Sequence, residues 1–131
     1  MEVYGHRLNT LRHEMSALET RENQGSKNRR ASAKKRAEAL SFLYDSMSER
    51  AFRSREFPRT ADAVLAVKML YEAGAAEVYV EYDERDANHT NTLLVIGKSG
   101  SMERTFRALW SLKPDEMYYH REDRLWKLWW D

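Results

Sequence analysis

Residues 60–97 read TADAVLAVKMLYEAGAAEVYVEYDERDANHTNTLLVIG, and the change of period inside this stretch decides the fold. Thr60 is placed to cap a helix, and Asp62 just inside puts a negative charge at the positive end of the dipole. The run to Tyr71 is nearly all apolar, and Gly74 ends it, because glycine takes positive φ without a steric penalty. The pattern then alternates. Val78, Val80 and Tyr82 point one way and Glu77, Tyr79 and Glu81 the other, as on a strand with one face buried. Residues 92–96 are apolar on both faces, which predicts a central strand.

Working downstream, residues 99–101 open another helix, with Met102, Phe106, Leu109 and Trp110 as its expected buried face. Pro114 stops it. Residues 116–120 and 124–130 read as strands around the charged turn 121–123. In the last strand Trp126, Leu128 and Trp130 alternate with Leu125, Lys127 and Trp129, so Trp129 is expected on the outer face. Residues 60–97 and 101–130 share the order helix, strand, strand. Upstream, Leu8, Leu11, Met15 and Leu18 form a helical seam, predicting a helix over about 6–22. A loop at 23–26 leads to a second predicted helix over about 28–55, with Leu40, Leu43, Tyr44, Met47 and Ala51 on its apolar side. Pro58 closes it. The expected fold is therefore α+β. A basic helical hairpin (1–57) precedes an α-β-β-α-β-β body (58–131) with a four-stranded, mostly antiparallel sheet and two helices on one face. On the first helix of the body, Leu65 and Met69 are surplus to one-sided packing and offer the hairpin a place to dock.

Composition excludes several classes. The chain has 131 residues and no cysteine, so thiolate catalysis, disulfides and zinc–cysteine sites are out. No apolar run is long enough to span a membrane, and the first residues lack a signal-peptide core, so a cytoplasmic protein with no membrane partner is expected. The net charge of +1 hides an asymmetry: residues 1–59 hold 13 Lys/Arg against 8 Asp/Glu, and residues 60–131 hold 9 against 13.

Residues 27–36, KNRRASAKKR, concentrate Lys27, Arg29, Arg30, Lys34, Lys35 and Arg36 at the start of the predicted second helix. Cations there oppose the helix dipole, which suggests an external anion such as a phosphate backbone. A solvated helix end is the plainer reading. The pattern Arg29–Arg30–Ala31–Ser32 also fits a basophilic kinase site, and the run a nuclear-import signal, but both are short. The loop 83–91 gathers Asp83, Glu84, Asp86 and His89, oxygen and imidazole groups of the kind a divalent ion takes. Their spacing does not match an EF-hand, and a polar hairpin loop explains them equally. With Glu77 and Glu81 they make one end of the sheet acidic, which suits a basic protein surface or a second copy of the chain. Tyr79 and Trp129, with one of Tyr118 and Tyr119, would add aromatic surface on the open sheet face. No G-x-S-x-G, P-loop, H-E-x-x-H or dinucleotide fingerprint occurs, and no cofactor is implied. The leading expectation is a small non-enzymatic module that binds nucleic acid or an acidic protein through the basic segment, with Arg50, Arg53 and Arg55 nearby. The alternative is a protein–protein inhibitor or adaptor using the open sheet face and the acidic loop. An enzyme without a recognisable motif comes third.

Overall fold

The computed structural model of the chain describes residues 33–131, so the helix expected at 6–22 and the residues Lys27, Arg29 and Arg30 lie outside the described residues. The described chain runs β1 (Lys34–Glu38), α1 (Ala39–Asp45), α2 (Thr60–Ala73), β2 (Ala75–Asp83), β3 (Thr92–Gly97), α3 (Met102–Ser111), β4 (Glu116–His120) and β5 (Leu125–Trp129). The class is α+β. The sheet has five strands in the order β1-β2-β3-β5-β4, every neighbouring pair antiparallel. As its sequence predicts, β3 is central.

The fifth strand is the first correction. Lys34–Glu38 does not continue a helix; it pairs with β2, Lys34 opposite Asp83 and Glu38 opposite Tyr79. A bare edge of β2 would leave a row of backbone donors and acceptors unpaired, and satisfying them outweighs the high helix propensity of KKRAE. Glu38 then accepts a 2.8 Å hydrogen bond from Ser41 N–H and caps α1. The second correction is the length of that helix, which ends at Asp45. Beyond it Ser46 and Ser48 turn their hydroxyls on the backbone: Ser48 N–H donates to Ser46 Oγ at 3.1 Å and Arg50 N–H to Ser48 Oγ at 3.0 Å. Such local bonds compete with helical ones. Met47 and Tyr44, expected on the apolar side, are exposed.

The irregular segment that follows is anchored through Ala51 and Phe52. Thr90 N–H donates to Ala51 O at 2.9 Å, and Arg53 N–H to Thr90 O at 2.8 Å. Thr60 serves this segment instead of capping α2: its hydroxyl donates to Ser48 O and accepts from Ala51 N–H, both at 2.8 Å. Asp62 does the capping, accepting from Arg59 N–H at 3.1 Å.

All three helices lie on one face of the sheet. There Ala39, Phe42, Leu43, Phe52, Phe57, Val67 and Leu70 share one core with Val78, Val80, Leu93, Val95, Trp126, Leu128 and Trp130. Residues 33–57 and 58–131 thus contribute to the same core. Helix α2 packs on β2 and is flanked by α1 and α3. Its Leu65 stays exposed, whereas Met69 packs partly against the core. In α3 the inward residues are Thr105 and Leu109; Phe106 and Trp110, expected inside, face outward and stack on each other at 6.3 Å. Tyr71 ties three elements together, donating to Glu38 Oε2 at 2.6 Å and accepting from Val78 N–H at 3.3 Å. Burial, then the Glu38 hydrogen bond and charge, push the Tyr71 phenol well above its ordinary pKa. Burial would raise Glu38 too, but its bonds from Tyr71 and the Ser41 and Leu40 amides outweigh that and hold it low.

Candidate functional site

The turn of chain between α1 and α2 faces the loop between β2 and β3 across a cleft of about 540 Å³. Its wall is Ser48, Glu49, Arg50, Arg53, Ser54, Arg55, His89 and Asp131. Local packing decides which side chains enter it. Ala51, Phe52, Ser54 and Phe57 are buried, so Arg53 and Arg55 between them, with Arg50 just before, project outward. A smaller neighbouring cleft of about 300 Å³ shares Ser54, Arg55 and Asp131 and adds Lys113. Arg53 reaches Asp86 at 3.7 Å, while Arg50 and Arg55 make no ion pair among the described residues. Guanidinium groups present forked donors that match phosphate or carboxylate oxygens.

One side of the cleft is a hydrogen-bonded relay. His89 Nδ1 lies 2.9 and 3.0 Å from the two Asp86 carboxylate oxygens, and Nε2 lies 3.1 Å from Ser48 Oγ. The His89 hydrogen bond above all, helped by Asn88 N–H and the charges of His89 and Arg53, holds the Asp86 carboxyl below its ordinary pKa against slight burial. With Asp86 ionised, Nδ1 is the donor and neutral His89 can accept the Ser48 hydroxyl proton at Nε2. The order is that of a serine nucleophile, its base and an orienting carboxylate. The relay also braces two segments, aided by Ser46 Oγ donating to Asn88 O at 2.8 Å and Met47 N–H to Asn88 Oδ1 at 2.9 Å.

The residues singled out from sequence fall in three places. Lys34, Lys35 and Arg36 stand on β1, so the helix-dipole argument does not apply to them; they face Asp83, Tyr82 and Glu81 across the ladder, and Lys35 pairs with Glu84 at 3.5 Å. Asp83 lies 3.5 Å from Arg85, and Asp86 belongs to the relay. Among the described residues no three His, Asp or Glu side chains converge on a point that a metal ion could occupy. Tyr79 and Trp129 lie on the sheet face away from the core, but β3 separates them, with Leu94 opposite Tyr79 and Thr92 opposite Trp129. They bond to neighbours on their own face: Tyr79 to Glu77 at 2.6 Å and Trp129 Nε1 to Glu116 at 3.1 Å. Sequence reasoning found the arginines as a group but missed Ser48 and its link to His89, 41 positions away. No local pattern carries a contact of that separation.

Fold and cleft together define a small α+β protein with an arginine-lined cleft. Comparison with protein-family models, curated proteins and solved structures returns no significant match. No helix among the described residues is long and apolar enough to cross a membrane.

Proposed function

We propose that the chain is a small non-enzymatic binding module whose cleft takes phosphate groups, those of a nucleic-acid backbone first. The observation that carries this reading is the convergence of Arg50, Arg53 and Arg55 on one concave surface with His89 and Ser48 beside them. Lys34 and Lys35 extend it. The loop after β2 lies between the two basic groups: Glu84 N–H bonds to Ala33 O at 3.0 Å on one side, and His89 lines the cleft on the other.

Changing all three arginines to glutamine should weaken binding of duplex and single-stranded oligonucleotides alike, whatever their sequence, because phosphate contacts position without reading bases. Each lost contact should flatten the log–log salt dependence by about 0.9 on a duplex or about 0.7 on a single strand. Stability should move by no more than about 0.5 kcal/mol per exposed site. A parent protein without salt-sensitive binding at about 50 mM salt would sink this reading.

The relay favours a second reading, in which Ser48 attacks an anionic ester. The Ser48 proton would pass to His89 Nε2, Asp86 would stabilise the imidazolium, and the leaving alcohol would take that proton back before water frees the acyl group. A fluorophosphonate probe should then label Ser48 stoichiometrically in the parent chain and fail in His89→Ala. Absence of label in the parent chain removes this reading and leaves the first intact.

A further inference from the structure

We propose that the outer edge of β4 is the joint of a homodimer, in which β4 pairs antiparallel with β4 of a second copy and Tyr118 stands opposite Tyr118. The sheet has two edges, β1 and β4, and they differ in kind. Along β1 run three adjacent cations, Lys34, Lys35 and Arg36, a guard that repels a like strand. The other edge reads EMYYH, with no lysine, proline or glycine, and pairs with β5 in unbroken register, so no bulge turns it away. Its backbone has groups to offer. Trp130 N–H donates to Asn91 O at 3.1 Å, on the β3 side. Backbone groups alternate along a strand, so those of Trp129, Lys127 and Leu125 point to β4 and meet Glu116, Tyr118 and His120. The N–H and C=O groups of Met117 and Tyr119 therefore point out of the sheet. Among the described residues, no backbone bond from outside the strands reaches them.

The sequence of β4 complements itself in one register. Met117 and Tyr119 supply the new bonds, so an outward residue must face an outward residue. Registers centred on Met117 or on Tyr119 meet that condition but set Glu116 against Tyr118, or Tyr118 against His120. Centred on Tyr118, the pairing uses all five residues: Met117 and Tyr119 exchange backbone bonds, and each Glu116 carboxylate faces a His120 imidazole. Tyr118 meets its copy as a non-hydrogen-bonded pair, where opposed side chains come closest. Aromatic pairs and acid–base pairs so opposed stabilise a ladder. On the sheet's second face, away from the core, Tyr118 Oη donates to Glu116 Oε1 at 2.5 Å and Trp129 Nε1 to the same oxygen at 3.1 Å, which leaves Oε2 for the imidazole. On the core face, Met117 packs against the core and Tyr119 against Trp126 at 4.9 Å, so the apolar layer would run on across the joint. Tyr118 and Tyr119 are 51% and 42% exposed, large rings that a second copy would cover. The contact is isologous and closes at two copies, joining two five-stranded sheets into one. It does not depend on the reading of the cleft.

Sedimentation equilibrium of the full chain, from micromolar to millimolar concentration, should converge on twice the mass of one chain. Tyr118→Lys sets like charges against each other at the joint and should return the mass to that of one chain, with circular dichroism unchanged. The absence of cysteine allows a second variant that needs no loss of binding. Tyr118→Cys should oxidise to a disulfide-linked pair of chains, because directly opposed positions bring the Cβ atoms within disulfide reach. Met47→Cys, exposed and away from β4, should stay single under the same oxidation. A parent chain that remains single at millimolar concentration would overturn the proposal. So would a dimer untouched by Tyr118→Lys, or Tyr118→Cys that links chains no better than Met47→Cys. Mass that keeps growing past two copies would mean a head-to-tail contact instead, and would overturn it as well.

Discussion

Trp130→Ala should destabilise the protein by about 3–5 kcal/mol, read as a fall in the urea midpoint at unchanged slope. Trp130 is 2% exposed and meets Phe52 at 5.1 Å and Phe57 at 5.4 Å, edge to face. Those two rings meet each other at 5.1 Å. The alanine would leave a cavity bounded by both, and Leu112 O would lose the 3.0 Å bond it accepts from the indole. Because this trio holds the chain between α1 and α2 to the sheet, the same substitution should loosen the arginine cleft and weaken any ligand bound there. Trp129→Ala should cost much less, since Trp129 is half-buried on the second face and its indole bonds to an exposed Glu116. Equal losses at the two positions would mean that the second face is as tightly packed around Trp129 as the first is around Trp130.

Gly74→Ala should be the next most damaging change, at about 2–5 kcal/mol when backbone strain and overpacking add. Gly74 ends α2 at φ +121°, a conformation that a side chain opposes. A Cβ there would stand 2.4 Å from Ser101 Cβ, an atom fixed to the backbone at the start of α3. Neither side retreats easily, because Lys98 N–H donates to Gly74 O at 2.9 Å and holds the two turns together. The two causes separate in a double-mutant cycle. Adding Ser101→Gly should recover the steric part of the loss and leave the φ part. A measured cost below about 1 kcal/mol for Gly74→Ala alone would mean that the α3 turn moves away freely.

Much of the fold was legible because its signals are local. The alternation through Val78, Val80 and Tyr82 and through Trp126, Leu128 and Trp130 placed two strands and their buried faces. The two-sided apolar run in β3 placed it at the centre, and Gly74 marked the turn between α2 and β2. Local periodicity misled where two outcomes share one pattern. Phe106 and Trp110 are spaced like a buried helical stripe, but the contact of α3 with α2 turns Thr105 and Leu109 inward. The arginines of the cleft were visible as charges, though not as a surface.

By itself the sequence determined the α+β class, the register of inward and outward residues on β2, β3 and β5, and the breaks at Gly74 and Pro114. These follow from side-chain period and backbone sterics, which act within a few residues. Tertiary structure decided that Lys34–Glu38 is a strand, because its stabilising partner is the edge of β2, more than forty residues away in the chain. It also decided that α1 stops at Asp45, where serine hydroxyls and Asn88 offer the backbone better partners than another helical turn. The cleft belongs to this second kind. Ser48, Arg53 and His89 meet only because Thr90 N–H donates to Ala51 O and Thr90 O accepts from Arg53 N–H, and no pattern within either segment encodes that meeting.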